Sequence, residues 1–407
     1  MRITTNQLYQ NSVNGILETQ KKLVRAQDVL IKQSNVLKPS DDPAAATKIV
    51  RLDEDLARLE QFEKNTILLE NSLENKEVVL GNIHGSMQRA RTLAIQAGNG
   101  AMNDQDRRAM ASELEQIRDE LFDLFNSKNG QGEYIFSGSK SSDPAFVKTS
   151  NGYEYQGDEN VKKIQISETL KLDSGVPGSG FAIFEDTEAR STLSIDTASS
   201  TASGSYSVFS SDQFEAYHKS NYVAVPPNPV GSNDYSVVLT SPSVYEVRDN
   251  GGTVLDSGNL DSENKFVYAG LQFQINGTTG DQLNFTLDQP NKENTLNSLT
   301  SLINTMNNAE NTSDDYFEEL KSAIYSFDRS MENVSSARSQ IGGRLNVVSS
   351  VNLSNLDQEI NLKEARAKIE EVDFSEAITE LQKQETALTV ANQTFSKVTG
   401  LSLFNFL

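Results

Sequence analysis

The sequence predicts a mainly α protein with an inserted β-rich domain, its N- and C-terminal helices running back along each other as an elongated antiparallel coiled-coil-like rod. Three observations predict it. Apolar residues recur every seven positions near both ends; proline and glycine, which helices exclude and turns use, crowd the middle; and only 36% of the 407 residues are hydrophobic and 7% aromatic, poor provision for several compact cores. Seven of nine prolines and sixteen of 24 glycines lie between 130 and 290, and no proline follows, so the order is helix, turn-rich zone, helix.

In the first zone Tyr9, Ile16, Leu23, Leu30 and Leu37 form one seven-residue row, with Leu17, Val24 and Ile31 beside it, the stripe of a first long helix. Lys38-Pro39-Ser40-Asp41-Asp42-Pro43 breaks it. Ser40, Asp41 and Asp42 offer capping oxygens and Pro43 suits a first helical turn, so the segment is read as a helix restart cap rather than an acid/base pair. Leu52, Leu59, Leu73, Leu80, Met87 and Ala94 then continue the repeat, joined by Phe62, Leu69, Ile83, Ala90 and Ala97, with Thr66 and Lys76 as polar interruptions. A helix of about 55 residues spans ~80 Å. After Gly98-Asn99-Gly100, the spacing of Met110, Leu114, Ile117, Leu121 and Phe125 outlines a third helix.

The middle zone alternates or clusters apolar residues between turn signals, which predicts strands at Tyr153–Tyr155, Phe181–Ile183, Tyr222–Val225, Ser236–Leu239 and Leu271–Ile275. Asn250-Gly251 and Asn276-Gly277 read as hairpin turns, and Ser191–Ser207 as a mobile loop or a variable excursion. In the last zone Leu320, Phe327, Val334, Ile341, Val348, Leu362 and Ile369 share one lattice, with Asn355 its polar member; Gly342-Gly343 inside it predicts close helix approach or a bend. Asp373 introduces a final helix with Phe374, Leu381, Leu388 and Phe395 on one edge, flanked by Ala377, Ala391 and Val398.

Composition removes most chemistry. The chain has no cysteine and two histidines, His84 and His218, so thiolate metal sites, disulfides and multi-His centres are ruled out, and no cofactor is expected. A net charge of -21 without a basic stripe argues against nucleic acid and anionic membranes as partners, and no membrane-length apolar run occurs. Phosphate-loop, zinc-protease and nucleophile-elbow motifs are missing, and Gly175–Gly180 lacks the spacing of a dinucleotide loop. No catalytic residue is assigned. The start, Met1-Arg2-Ile3-Thr4, has no signal-peptide core, so the chain stays inside the cell or leaves by a route that reads no cleaved signal.

The ends resemble the bacterial flagellin superfamily, within it the hook-associated protein 3 branch of hook-filament junction proteins. The resemblance rests on Met1-Arg2-Ile3-Thr4-Thr5-Asn6, on Ser40-Asp41-Asp42-Pro43-Ala44-Ala45, and on Gly132-Glu133-Tyr134-Ile135-Phe136-Ser137-Gly138. At the other end it rests on Ser336-Ala337-Arg338-Ser339-Gln340-Ile341-Gly342-Gly343-Arg344-Leu345-Asn346 and Ile369-Glu370-Glu371-Val372-Asp373-Phe374. It implies a flagellin-like fold: residues 1–40 with 374–407 as a terminal helical inner-tube domain, 41–132 with 291–373 as a helical rod, and 133–290 as a surface-exposed β-rich insertion. It implies a non-enzymatic structural subunit at the extracellular hook-filament junction of the flagellum, exported by the type III apparatus. The implied partners are further copies in a ring, hook-associated protein 1, flagellin, and a cytoplasmic export chaperone before secretion.

On this reading the assembly interface comprises Tyr9, Ile16, Leu23, Leu30, Phe374, Leu381, Leu388, Phe395, Val398, Leu403 and Phe404. Two alternatives compete with it. A filament flagellin would polymerise alone into long filaments, and an extracellular adhesin or enzyme would carry its activity in residues 133–290.

Overall fold

The seven-residue rows become helices in the computed structural model, which describes residues 5–100, 102–176, 187–188, 190–308 and 314–404. Helix α1 (Thr5–Lys32) is followed by α2 (Pro43–Ala97) and α3 (Asp104–Phe125); near the other end α5 (Thr295–Asn307), α6 (Asp314–Glu370) and α7 (Phe374–Phe404) follow one another. The chain divides into two compact units. The first comprises Met1–Glu70, Ile164–Leu172 and Leu345–Leu407, and the second Asn71–Lys163 and Asp173–Arg344.

Within the first unit α1 pairs with α7, and Arg366 of α6 forms an ion pair with Asp53 of α2. Asp42 Oδ1 accepts the Ala44 and Ala45 N–H groups, closing the open amides at the start of α2 as an N-cap does. Asp373 Oδ1 does the same for Ser375 and Glu376 at the start of α7. The connectors before these two caps are joined: Asn35 N donates to Glu370 O at 2.8 Å, and Asn35 Nδ2 to Glu371 O at 3.0 Å.

In the second unit the later part of α2 meets α3 through Ser86–Glu120 and Arg89–Glu113, α3 packs on α5, and α5 meets the first part of α6 through Thr295–Ser330 and Ser298–Ser326. Leu73, Leu80, Ile83 and Met87 of α2 and Phe327, Val334 and Ile341 of α6 are fully buried. Arg91 pairs with Asp328 and Arg338 with Glu77 across these helices. Beyond α3, the Gly132–Gly138 motif folds inward: Ile135, Phe136 and Ser137 are buried, and Tyr155 Oη donates to Phe136 O at 2.8 Å. Gly138 has φ +71° and lies so close to Asp158 that a Cβ there would collide with its backbone. The hairpin of β1 (Phe146–Thr149) and β2 (Gly152–Tyr155) closes on this turn, with the Phe146 ring tilted against that of Phe125 at a centroid distance of 5.5 Å.

The β core proper runs from Leu193 to Leu287. Strands β6 (Leu193–Asp196), β8 (Asp234–Ser241), β9 (Val244–Asp249), β10 (Val254–Asn259) and β13 (Gln282–Leu287) form an antiparallel sheet in the order β10-β9-β8-β13-β6. Strands β7 (Ser203–Val208), β11 (Lys265–Tyr268) and β12 (Leu271–Asn276) form a second sheet, and helix α4 (Ser211–Asn221) joins them over a shared core with Phe214, Val237, Val247, Phe273 and Phe285 at its centre. The chain enters and leaves this core side by side, since Asp288 N donates to Thr192 O at 3.1 Å. Two short pairs complete the strands, β3 (Lys163–Gln165) with β4 (Lys171–Asp173), and β5 (Thr187–Glu188) with β14 (Lys292–Glu293).

Several sequence expectations differ here for identifiable reasons. Tyr222–Val225 is no strand: Tyr222 caps α4, and Pro226-Pro227 next to it cannot donate to a ladder. Asn276-Gly277 carries the chain from β12 to β13 in the other sheet instead of turning a hairpin, while Asn250-Gly251 does connect the paired β9 and β10. Ser191–Ser207 is not a loop but contains β6 and most of β7, its serines spent on local bonds such as Ser199 N and Oγ to Asp196. Gly342-Gly343 neither breaks α6 nor admits another helix, for a Cβ at either would meet open space. Phe181–Ile183 lies outside the described residues.

The polar interruptions of the lattices have a common explanation in the segment 163–176. In the first unit Asn355 Nδ2 donates to Ile166 O at 3.0 Å and Asn65 Nδ2 to Gln165 O at 2.7 Å. In the second, Lys76 Nζ and Ser72 Oγ both donate to Ser174 O, and Arg344 donates to Gly175 O. A Cβ on Gly175 would overlap the Lys76 ammonium, so a larger residue there requires the Lys76 side chain to move. Thr66 is the exception, donating to Phe62 O in its own helix.

Lys76 is 8% exposed, and burial, reinforced by the positive Arg344, lowers its pKa from 10.5 to about 8. The folded chain therefore holds fewer protons than the unfolded chain between pH 8 and 10.5, and stability rises with pH in that window, by roughly 3 kcal/mol in all. Lys76→Met, which leaves Ser174 O its Ser72 donor, is expected to be more stable than the natural chain at pH 7, and the gap to close by pH 10.5. Urea unfolding of both proteins across this range checks it; a pH-independent gap would mean the ammonium is not desolvated.

Candidate functional site

No three His, Cys, Asp or Glu side chains gather as a metal site among the described residues, and none of the described helices is long and apolar enough to cross a membrane. His218 is buried, with Nε2 2.9 Å from Asp288 O and its ring stacked on Tyr222, a packed structural histidine. The feature that stands out is an excess of apolar surface in the first unit.

Helices α1 and α7 run antiparallel, so an early α1 residue meets a late α7 one: Tyr9 and Phe395 have ring centroids 5.4 Å apart. One row of each helix turns toward the other. Ile16, Leu23 and Leu30 are half-buried with Ala26 buried between them, and Leu381, Leu388 and Phe395 are half-buried with Ala377 buried. The second row of α1 has no such cover. Leu17 and Val24 are about half exposed and Ile31 is 77% exposed, and on α7 Phe374, Ile378 and Val390 are open to similar degrees. Complete burial of a large apolar side chain is worth about 1.5–3 kcal/mol, so each half-exposed one forgoes roughly 1 kcal/mol. In the same unit Val50 and Leu68 of α2 and Leu353 and Ile360 of α6 are also exposed.

The residues expected to form an interface thus separate into two sets. Ile16, Leu23, Leu30, Leu381, Leu388 and Phe395 meet within the chain, whereas Phe374 and half of Tyr9 remain outside. Ser40, Asp42 and Pro43 lie exposed at the restart and Asp41 is half-buried, 3.6 Å from Arg25. The side chains of Val398, Leu403 and Phe404 lie outside the described residues. The row Leu17, Val24 and Ile31, which is not among the expected residues, is the one left open; its seven-residue spacing was visible, but spacing does not say which of two adjacent rows a chain covers itself.

A groove of about 590 Å³ opens beside the helix pair. Ala26, Val29, Val372 and Ala377 contribute apolar surface to it, and Lys22, Arg25, Glu371, Asp373, Glu376 and Glu380 line it with charge.

Comparison with known proteins agrees with this geometry. The model of the bacterial flagellin N-terminal helical region matches residues 3–141, and that of the flagellin C-terminal helical region matches residues 324–407, together more than half of the chain. The flagellar hook-associated protein 3 of Salmonella typhimurium is 33% identical over 161 residues, 40% of this chain and 50% of that protein. The chain spans about half the length of the curated relatives it matches. Among solved structures, flagellar hook associated protein-3 from Legionella pneumophila superposes with a TM-score of 0.59 at 20% identity, covering 79% of this chain and 98% of its own. FlgL from Xanthomonas campestris gives 0.58 at 24%, covering 78% and 99%. At these identities the structural likeness is one of fold.

A surface row and a core row should respond differently to charge. Leu17→Asp, Val24→Asp and Ile31→Asp together are expected to shift the stability of the monomer by no more than about 0.5 kcal/mol each, while Leu80→Ala, in a fully buried position, costs about 3 kcal/mol. Urea unfolding followed by circular dichroism compares them; a large loss in the triple variant would place the outer row in an intramolecular core.

Proposed function

Because the chain belongs to the bacterial flagellin superfamily and carries both of its helical regions, we propose that it is a non-enzymatic structural subunit of the flagellum that assembles through its terminal helices at the junction between hook and filament. The observation that carries this reading is the second apolar row of α1, with its companions on α7: surface that the chain itself leaves open and that a wall of like helices buries. The likeness to hook-associated protein 3 sequences and folds supports the junction over other positions in the flagellum. On this reading its neighbours are further copies in a ring, hook-associated protein 1 on one side and flagellin on the other. Before type III export, the open rows are shielded by a cytoplasmic chaperone.

Residues 1–40 with 374–407 then form the inner assembly domain, 41–132 with 291–373 the rod, and the strand-rich middle an outward insertion. The part of that insertion independent of the helices is the β core, because 133–176 contributes buried anchors to the helical units.

Immunogold labelling or cryo-electron microscopy of flagella carrying the tagged chain tests the reading. Label at a single junction per flagellum is expected; label along the filament would make the chain a filament flagellin. Replacement of residues 192–288 by a short linker, which the adjacent Thr192 and Asp288 permit, is expected to preserve export and junction formation. Filament counts and motility measure it, and an exported, folded variant that fails to join hook and filament would give the β core an essential contact. Deletion extended to 133–176 is expected to abolish folding through loss of Phe136, Phe146 and Ile166, all fully buried.

A further inference from the structure

The β core joins the rest of its unit through a neck of two chain crossings, and the two are unlike. On the way out Gln289, Pro290 and Asn291 are exposed, and Pro290 has no N–H to give. On the way in stands Arg190, whose side chain is 5% exposed and whose Nη1 donates to Glu318 Oε2 of α6 at 2.7 Å. The residues after Arg190 are fastened to the β core. Ser191 N and Oγ donate to Glu215 of α4 at 2.7 and 2.8 Å, and Thr192 Oγ1 and Ser194 Oγ donate to the two carboxylate oxygens of Asp288, each at 2.7 Å. Arg190 is therefore carried by the β core while its guanidinium is held by a helix outside it.

Little else in the described structure ties the two parts together. Among the described elements the strands of the β core pack extensively on one another and on none of α2, α3, α5 or α6. A domain that shares so little surface with its neighbour swings about its linkers unless something holds it. Stability alone is a poor account of Arg190. Its Nε–H and Nη2–H groups are buried without an acceptor among the described residues, and a buried ion pair is often no more stable than apolar side chains of similar volume. We propose that the Arg190–Glu318 pair is a latch that fixes the direction in which the β core projects from the helices: it supplies orientation rather than stability, and without it the core stays folded and swings about Arg190 and Gln289–Asn291. The latch is a property of the single chain, so it stands whether or not the assembly reading does.

The chain lacks cysteine, so a pair of spin labels can be placed on two introduced thiols. Ser112 on α3 and Ser257 on β10 are both exposed, and Ser112→Cys with Ser257→Cys reports the distance from the helices to the β core by double electron–electron resonance. Ser205→Cys with Ser257→Cys, both on exposed positions within the β core, is the control. With Arg190 and Glu318 in place, each pair is expected to give one narrow distance distribution. Arg190→Gln is expected to broaden the first several-fold and leave the control as it was. Arg190→Met with Glu318→Leu is expected to broaden it likewise, in a protein whose urea midpoint is no lower than that of the natural chain. A first pair already broad in the natural chain, or a width that Arg190→Gln leaves unaltered, would overturn the latch. Broadening of the control, or a lower urea midpoint in the Met–Leu variant, would overturn it too, by making the pair a support of the fold.

Discussion

Long helices with more apolar rows than their own chain can cover impose the constraint on which this protein is built. An α-helix presents side chains around its whole circumference, and one antiparallel partner covers a single stripe. In the second unit α2 and α6 are covered further by α3 and α5, so Leu80, Met87, Phe327 and Ile341 are inaccessible to water. In the first unit α1 and α7 have chiefly each other, and Leu17, Val24 and Ile31 remain on the outside. The same heptad code therefore yields a core in one place and an open apolar surface in the other, and the difference lies in the number of helices present rather than in the residues.

Electrostatics follows the same division. Three polar side chains of the helices, Lys76, Asn65 and Asn355, are spent on backbone carbonyls of the segment 163–176. A polar group in such a place needs its partner, because a buried donor left unpaired costs about 1–3 kcal/mol. At the surface acids dominate, in keeping with the net charge of -21.

Much of this was legible in the sequence. The helices, their breaks at Lys38–Pro43 and Asp373, and the strands at Ser236–Leu239 and Leu271–Ile275 follow from periodicity and punctuation. Two kinds of feature were not. Helix α4 is short, and its inward side is carried by Phe214, Glu215 and His218, a set that reads as polar until Glu215 is seen to accept from Ser191 N and Oγ. Strands β6 and β7 lie in a Ser/Thr-rich stretch whose apolar members, such as Leu193 and Tyr206, are too sparse to outweigh its composition. Nor does a single sequence say that Asn355 and Lys76 answer to a segment well over a hundred residues away in one case and nearly a hundred in the other; as interruptions of a repeat they resemble noise.

Those interruptions have a mechanical meaning. Two helices with a uniform heptad stripe can slide past whatever lies on them by seven residues and recover almost every contact. With Asn355 held to Ile166, and Lys76 and Ser72 to Ser174, such a step strands a buried donor at each fastening. Each unit is thereby pinned in one register, so that its long helices cannot creep along their axes without stranding a buried polar group.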